Sequence, residues 1–159
     1  MKTLITYYSY SGTTARVIEI FSKILKDKGE VTIQRLKPKE EIHAFFAQCR
    51  AAFFHRRAAL EGNVIFDASA YNLILIGLPL WAFAPTPAVN SFLDHVNGLN
   101  GKRVIVLLTS GSGVGVKKCF GNIRFVLENK GATRIDEINI PNRKMKDTPF
   151  VASSLKTIL

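Results

Sequence analysis

Near the N-terminus Ser9, Ser11, Gly12, Thr13 and Thr14 stand almost side by side, interrupted only by Tyr10. The run before them, Leu4-Ile5-Thr6-Tyr7-Tyr8, is apolar and β-favouring. After them Val17, Phe21, Ile24 and Leu25 recur at helical spacing. A strand that empties through a hydroxyl-rich loop into a helix brings backbone N–H groups, hydroxyls and the positive end of a helix dipole to one place. That chemistry suits a phosphate group. Two later stretches share the loop-like character. Leu78-Pro79-Leu80-Trp81-Ala82-Phe83-Ala84-Pro85 is apolar and aromatic, and Thr109-Ser110-Gly111-Ser112-Gly113 is small, with accessible backbone.

The elements that must position these loops alternate regularly. Strands are predicted over residues 2–8, 31–36, 71–77, 104–108 and 133–140. Helices are predicted over 13–28, 40–60, from Pro87 to before Gly98, from about 116 to before Gly131, and over 146–159. Thr86 and Pro87 read as N-cap and first helical residue. Within 40–60, Ile42, Phe45, Phe46, Cys49 and Phe53 form one apolar stripe, and Gly62 is expected to close the helix. Strict alternation implies an α/β fold with a parallel sheet, right-handed crossovers and helices on both faces. The first, third and fourth strands are the apolar ones and belong in the centre. The second and fifth carry polar residues and belong at the edges. The doubly wound order 2-1-3-4-5 meets this requirement, and its switch point lies between strands 1 and 3. Residues 9–14 and 78–84 then border one crevice, with 109–113 beside it. Residues 1–159 are expected to form one domain, since no repeat, linker or low-complexity tract divides them.

Several phosphate-using sites of related architecture fail on residues. No Lys follows the first loop as a P-loop requires, and Gly12 alone does not make a G-x-G-x-x-G fingerprint. No aspartate ends the third strand, as phosphoryl-accepting receivers need, and no cysteine occupies the first loop, as a cysteine phosphatase needs. Trp81 reads either as packing over the sheet edge or as a flat wall for a planar ring. A phosphate at the first loop, an aromatic at the second and free backbone groups at the third fit a ribityl-phosphate flavin.

These motifs carry a family likeness. Tyr8-Ser9-Tyr10-Ser11-Gly12-Thr13-Thr14 resembles the flavodoxin phosphate motif, an aromatic followed by T/S-x-[ST]-G-[NT]-T. Tyr71-Asn72-Leu73-Ile74-Leu75-Ile76-Gly77-Leu78-Pro79-Leu80-Trp81 resembles the family's YDLVIIGSPVW segment, continuing through Pro85-Thr86-Pro87. The 109–113 loop is similar to its third, glycine-rich loop. The resemblance implies a flavodoxin-like fold with FMN as cofactor. It implies that Ser9, Tyr10, Ser11, Gly12, Thr13 and Thr14 surround the phosphate. Pro79, Leu80, Trp81, Ala82 and Phe83 would line one side of the ring, and Thr109, Ser110, Gly111 and Ser112 the other. The function implied is electron transfer between redox partners. The alternative is an FMN-dependent NAD(P)H:quinone-type reductase acting on small acceptors.

Three features set the chain apart from acidic electron carriers of that family. Its net charge is +10. Its third loop lacks an aromatic, and its 40–60 segment is longer and more aromatic, like the insert of a flavodoxin-like subfamily. The charge fits nucleic acid, an anionic membrane surface, an acidic redox partner protein or a merely solvated basic surface, and a basic surface with no carboxylate in the three loops predicts a less negative second-electron flavin potential. Nucleic-acid binding through Lys117, Lys118, Arg124, Arg143, Lys144 and Lys146 is a third reading. No recognition motif accompanies that charge, so no specific nucleic acid is expected. No apolar run approaches the ~20 residues of a span, so no membrane is expected, and the lack of a signal pattern makes the cytoplasm the default. Cys49 and Cys119 suggest no disulfide, and His43 and His55 lack partners at metal-ligand spacing. Phe45, Phe46, Phe53 and Phe54 read as core or dimer contacts, which predicts a homodimer through residues 42–54.

Overall fold

Strands that are apolar on both faces can be satisfied only inside a parallel sheet covered by helices. The computed structural model describes residues 1–159, the side chain of Phe45 excepted, and places such strands in the middle. β1 (Lys2–Tyr7), β2 (Glu30–Arg35), β3 (Leu73–Pro79), β4 (Arg103–Ser110) and β5 (Arg134–Pro141) pair in parallel in the order β2-β1-β3-β4-β5. The helices are α1 (Thr13–Lys26), α2 (Phe45–Phe53), α3 (Pro87–His95), α4 (Val116–Asn129) and α5 (Thr148–Lys156). The expected fold and strand order are those observed.

The period of two along the central strands divides the core. Ile74, Ile76, Leu78, Val104, Val106 and Leu108 point to the face covered by α3 and α4, where Phe92, Leu93, Ile123 and Leu127 are buried. Leu73, Leu75, Ile105 and Leu107 point to the face covered by α1 and α5, against Phe21, Leu25, Val151 and Leu155. Gly77 marks the closest approach of helix to sheet. A Cβ there would stand 2.9 Å from Cδ1 of Ile18 on α1. Its absence lets the head of α1 settle beside the ends of β1 and β3.

The largest departure from the sequence reading is α2. A helix over 40–60 was predicted, yet only Phe45–Phe53 is helical. Before it, the Gln48 side chain donates to the Ile42 carbonyl and the Tyr8 hydroxyl donates to Glu41, which hold that stretch in irregular form. The helix ends when Arg56 N–H reaches back to Ala51 O and His55 N–H to Ala52 O, with His55 left-handed at φ 50°. This is a Schellman closure with histidine where glycine is usual. Residues 58–61 then return beside 37–39, through Lys39 N–H to Ala59 O and Glu61 N–H to Lys37 O. Gly62 therefore closes no helix. Of the predicted stripe, Ile42 and Cys49 are half-buried, Phe46 and Phe53 are exposed and the Phe45 side chain lies outside the described residues, while Gln48, Ala51 and Ala52 are buried. Smaller shifts affect β3, which starts and ends two residues later than expected, and the last helix. There a 3₁₀ turn over Asn142–Lys144 precedes α5, which Asp147 caps by accepting from Phe150 N–H at 3.0 Å.

Candidate functional site

The carboxyl ends of β1, β3 and β4 open on a cavity of about 560 Å³. The first loop contributes Ser11 and Thr13 to its wall. The second contributes Pro79, Leu80, Trp81, Ala82 and Phe83, and the third Thr109, Gly111 and Ser112. All three predicted loops thus meet at one crevice.

The first loop is held from behind. Ser9 is buried; its hydroxyl accepts from Ala15 N–H at 3.2 Å, and Arg35 donates to its carbonyl at 2.7 Å. Thr14 is buried too, and its hydroxyl bonds that of Thr109 at 2.8 Å, which ties the first loop to the third. Gly12 takes φ 86°, turning the chain into α1. Among the described residues no acceptor meets the N–H groups of Ser11, Gly12, Thr13 or Thr14. Four consecutive donors at a helix head, with no acidic residue in its first turn, form a concave anion cradle. Exposed hydroxyls of Ser11 and Thr13, 3.0 Å apart, add to it.

The second loop is strained and braced. Trp81-Ala82-Phe83-Ala84 is closed by Ala84 N–H on Trp81 O at 3.0 Å, with Ala82 at φ 43° and Phe83 at φ 69°. Two left-handed non-glycine residues in one turn cost about 1–3 kcal/mol each, so neighbours must hold them. Trp81 packs edge-on against Tyr8 (5.6 Å, 89°) and Tyr10 (6.1 Å, 78°). It is half-buried, so it serves both as packing and as crevice wall. Burial of Tyr8, reinforced by its bond to the Glu41 carboxylate, raises the phenol well above its ordinary pKa.

Five predicted residues do not line the cavity: Ser9, Tyr10, Gly12, Thr14 and Ser110. Ser9 and Thr14 brace the loop as described, Tyr10 packs on Trp81, and the Ser110 hydroxyl donates to Asn139 at 2.8 Å. Three lining residues escaped the sequence reading: Cys49, Val114 and Asn142. The sequence marks Cys49 only as part of a helix's apolar stripe, and nothing local marks Asn142. No carboxylate lines the crevice. Among the described residues, no group of three or more His, Cys, Asp or Glu could hold a metal ion.

Residues 2–146 match the flavodoxin family model. This chain belongs to the flavodoxin family. No curated protein sequence matches the flavodoxin-family chain significantly, but solved structures share its fold. A Bacteroides uniformis protein provisionally described as a flavoprotein superposes with TM-score 0.72 at 22% identity, covering 98% of this chain and 97% of its own. An NADH:FMN oxidoreductase in apo form superposes with TM-score 0.65 at 16% identity, covering 99% and 88%. General stress protein 14 from Treponema denticola, in complex with FMN, does so with TM-score 0.60 at 12% identity, covering 99% and 95%. Identities this low speak for the fold alone.

Proposed function

We propose that this flavodoxin-family chain holds FMN in the crevice and transfers electrons between redox partners. The observation that carries the reading is the run of unpaired N–H groups from Ser11 to Thr14 at the head of α1, opening into an aromatic-walled cavity of about 560 Å³. That volume lies within the usual range for cofactor sites. When bound, FMN supplies the electron- or hydride-transfer chemistry. The N–H groups and the Ser11 and Thr13 hydroxyls receive the phosphate. Trp81 offers an aromatic wall, and the strained backbone of Ala82 and Phe83 presents polar groups at the ring's edge. Thr109, Gly111 and Ser112 bound the opposite side. With no carboxylate in the wall, the midpoint potential should be less negative than in a crevice ringed by acids.

A second reading is favoured by one feature. Residues 111–114 are exposed and carry no aromatic, so the third-loop side stays open to a small second substrate. Titration of the apoprotein with FMN tests the common claim: a shifted flavin absorption band and quenched flavin fluorescence are expected, and no change on either signal rejects it. NAD(P)H oxidation with a soluble quinone then separates the readings. Turnover without any protein partner supports the reductase, and turnover only with a protein reductase supports the carrier.

A further inference from the structure

Among the described side chains, helix α2 buries only small or polar ones: Gln48, Ala51 and Ala52. Its outward side carries the bulk: Phe46 is 86% exposed, Phe53 56%, and Phe54, just past the end, 62%. Arg50 stands between Phe46 and Phe53 at i+4, and Arg56 follows the closing turn. Both arginines are exposed, and among the described residues neither makes a salt bridge. Among the described residues, none of α2 belongs to either core cluster. Phe125 of α4, 67% exposed, lines a neighbouring depression together with His55, Asn122 and the Arg57–Asp94 pair.

We propose that α2 and its closing turn form a peripheral docking face for an anionic bilayer. Protruding phenyl groups interleaved with unpaired arginines match what an interface-lying helix presents to lipid: rings for the acyl boundary and cations for the headgroups. The net charge of +10 adds long-range attraction to the same surface. A second copy fits less well. A two-fold contact through this face would bring Arg50 and Arg56 of both copies together around the buried rings; α2 and its turn carry no carboxylate, and the nearby Asp94 is already held by Arg57 at 2.7 Å. The sequence argument against a membrane excluded only a spanning segment, and among the described residues no helix could span one. An interfacial face is a different device. Because α2 also supplies Cys49 to the crevice wall, such a bilayer would lie beside the mouth of the candidate flavin site.

The test is sedimentation of the full chain with vesicles of phosphatidylcholine alone or with about one-third phosphatidylserine. The wild type is compared with Phe53→Ser/Phe54→Ser and with Arg50→Glu/Arg56→Glu. Binding is expected only to the anionic vesicles, and each double variant should lower the partition coefficient at least ~10-fold. Circular dichroism and the urea midpoint verify that the variants fold, whether or not the crevice holds FMN. Separately, Phe53→Trp should show emission quenched by brominated lipid above the Trp81 background. Equal vesicle binding by wild type and the phenylalanine variant would reduce the effect to diffuse charge and overturn the proposal. So would an absence of vesicle binding, whether accompanied by a dimer that the same variant dissociates, by phenylalanine-dependent capture of a soluble acidic protein, or by neither.

Discussion

Phe83 lies against the bare Cα of Gly115: a Cβ added at Gly115 would stand 2.0 Å from Phe83 Cδ1 and 3.0 Å from Phe83 Cα. The strained turn of the second loop is therefore seated on the left-handed residue that opens α4, where Gly115 has φ 86°. Strain at Ala82 and Phe83 persists because two surfaces hold it, the tyrosine pair under Trp81 and this glycine under Phe83.

Gly115→Ala attacks both parts of that arrangement. The left-handed conformation alone costs an alanine about 1–2 kcal/mol, and the methyl group must also push Phe83 and its turn outward. A total loss of about 2–4 kcal/mol is expected in urea unfolding, in line with the larger single-residue effects. Binding of FMN should weaken about 10-fold, because the displaced turn forms one wall of the crevice. An unchanged denaturation midpoint would show that Phe83 is not seated there in solution.

The anion cradle makes a prediction with two opposite signs. Ser11 is exposed beside the head of α1, whose first turn contains no acid. In Ser11→Glu the new carboxylate meets the helix dipole and should stabilise the apoprotein by about 0.5 kcal/mol. The same carboxylate occupies the place of the phosphate, so FMN affinity should fall at least ~100-fold, given a few kcal/mol of like-charge repulsion at contact distance. Ser11→Gln is the neutral control and should shift affinity far less. A glutamate variant that keeps its affinity would remove Ser11 to Thr14 from the phosphate site.

How much of this was legible beforehand follows from which forces are local. Sheet order could be read because full burial leaves a plain mark: Leu73-Ile74-Leu75-Ile76 and Val104 to Leu108 have no polar interruption, whereas Gln34 and Asp136 mark the edges. The loops could be read because a phosphate cradle needs residues that are adjacent in the chain. The extent of α2 could not. Its periodicity is real, but its limits are set by Tyr8 on Glu41, by Ser91 on Ala58 and by a histidine closing the helix, all of which depend on tertiary contact or on an unusual residue. Which of its side chains are buried could not be read either, since the helix docks through Gln48, Ala51 and Ala52, residues that no apolar pattern singles out. Cys49 and Asn142 reach the crevice from segments far from the three loops, and no spacing rule connects them.

The two thiols should behave differently, and one of them should report on the crevice. Cys119 is fully buried, and burial pushes its thiol up to about 12. It should stay inert to an aromatic disulfide reagent until the chain unfolds. Cys49 is partly exposed and lines the cavity. The native apoprotein should therefore react at a single thiol, and saturating FMN should slow that reaction at least ~10-fold by occupying the wall. Cys49→Ser should abolish the native-state reaction. Equal rates with and without FMN would place the flavin elsewhere.

The Tyr8–Glu41 pair predicts a loss of stability in alkali. Burial of the ring, and then the carboxylate that accepts its proton, raise the Tyr8 pKa in the folded state. In the unfolded chain the phenol ionises near ~10. A raised folded pKa means that the contribution is complete below that unfolded value. It is lost as pH climbs from there toward the folded value, because only the unfolded state releases the proton. The slope from this one group is at most about 1.4 kcal/mol per pH unit. Tyr8→Phe removes it, at a cost of about 1 kcal/mol at neutral pH for the lost hydrogen bond. Glu41→Gln removes the charge but keeps an acceptor, so its alkaline slope should begin at the same pH and flatten sooner. Urea midpoints for the three proteins between pH 7 and 11.5 check this. If wild type and Tyr8→Phe lose stability in parallel above pH 10, the phenol is not the group held neutral by the fold.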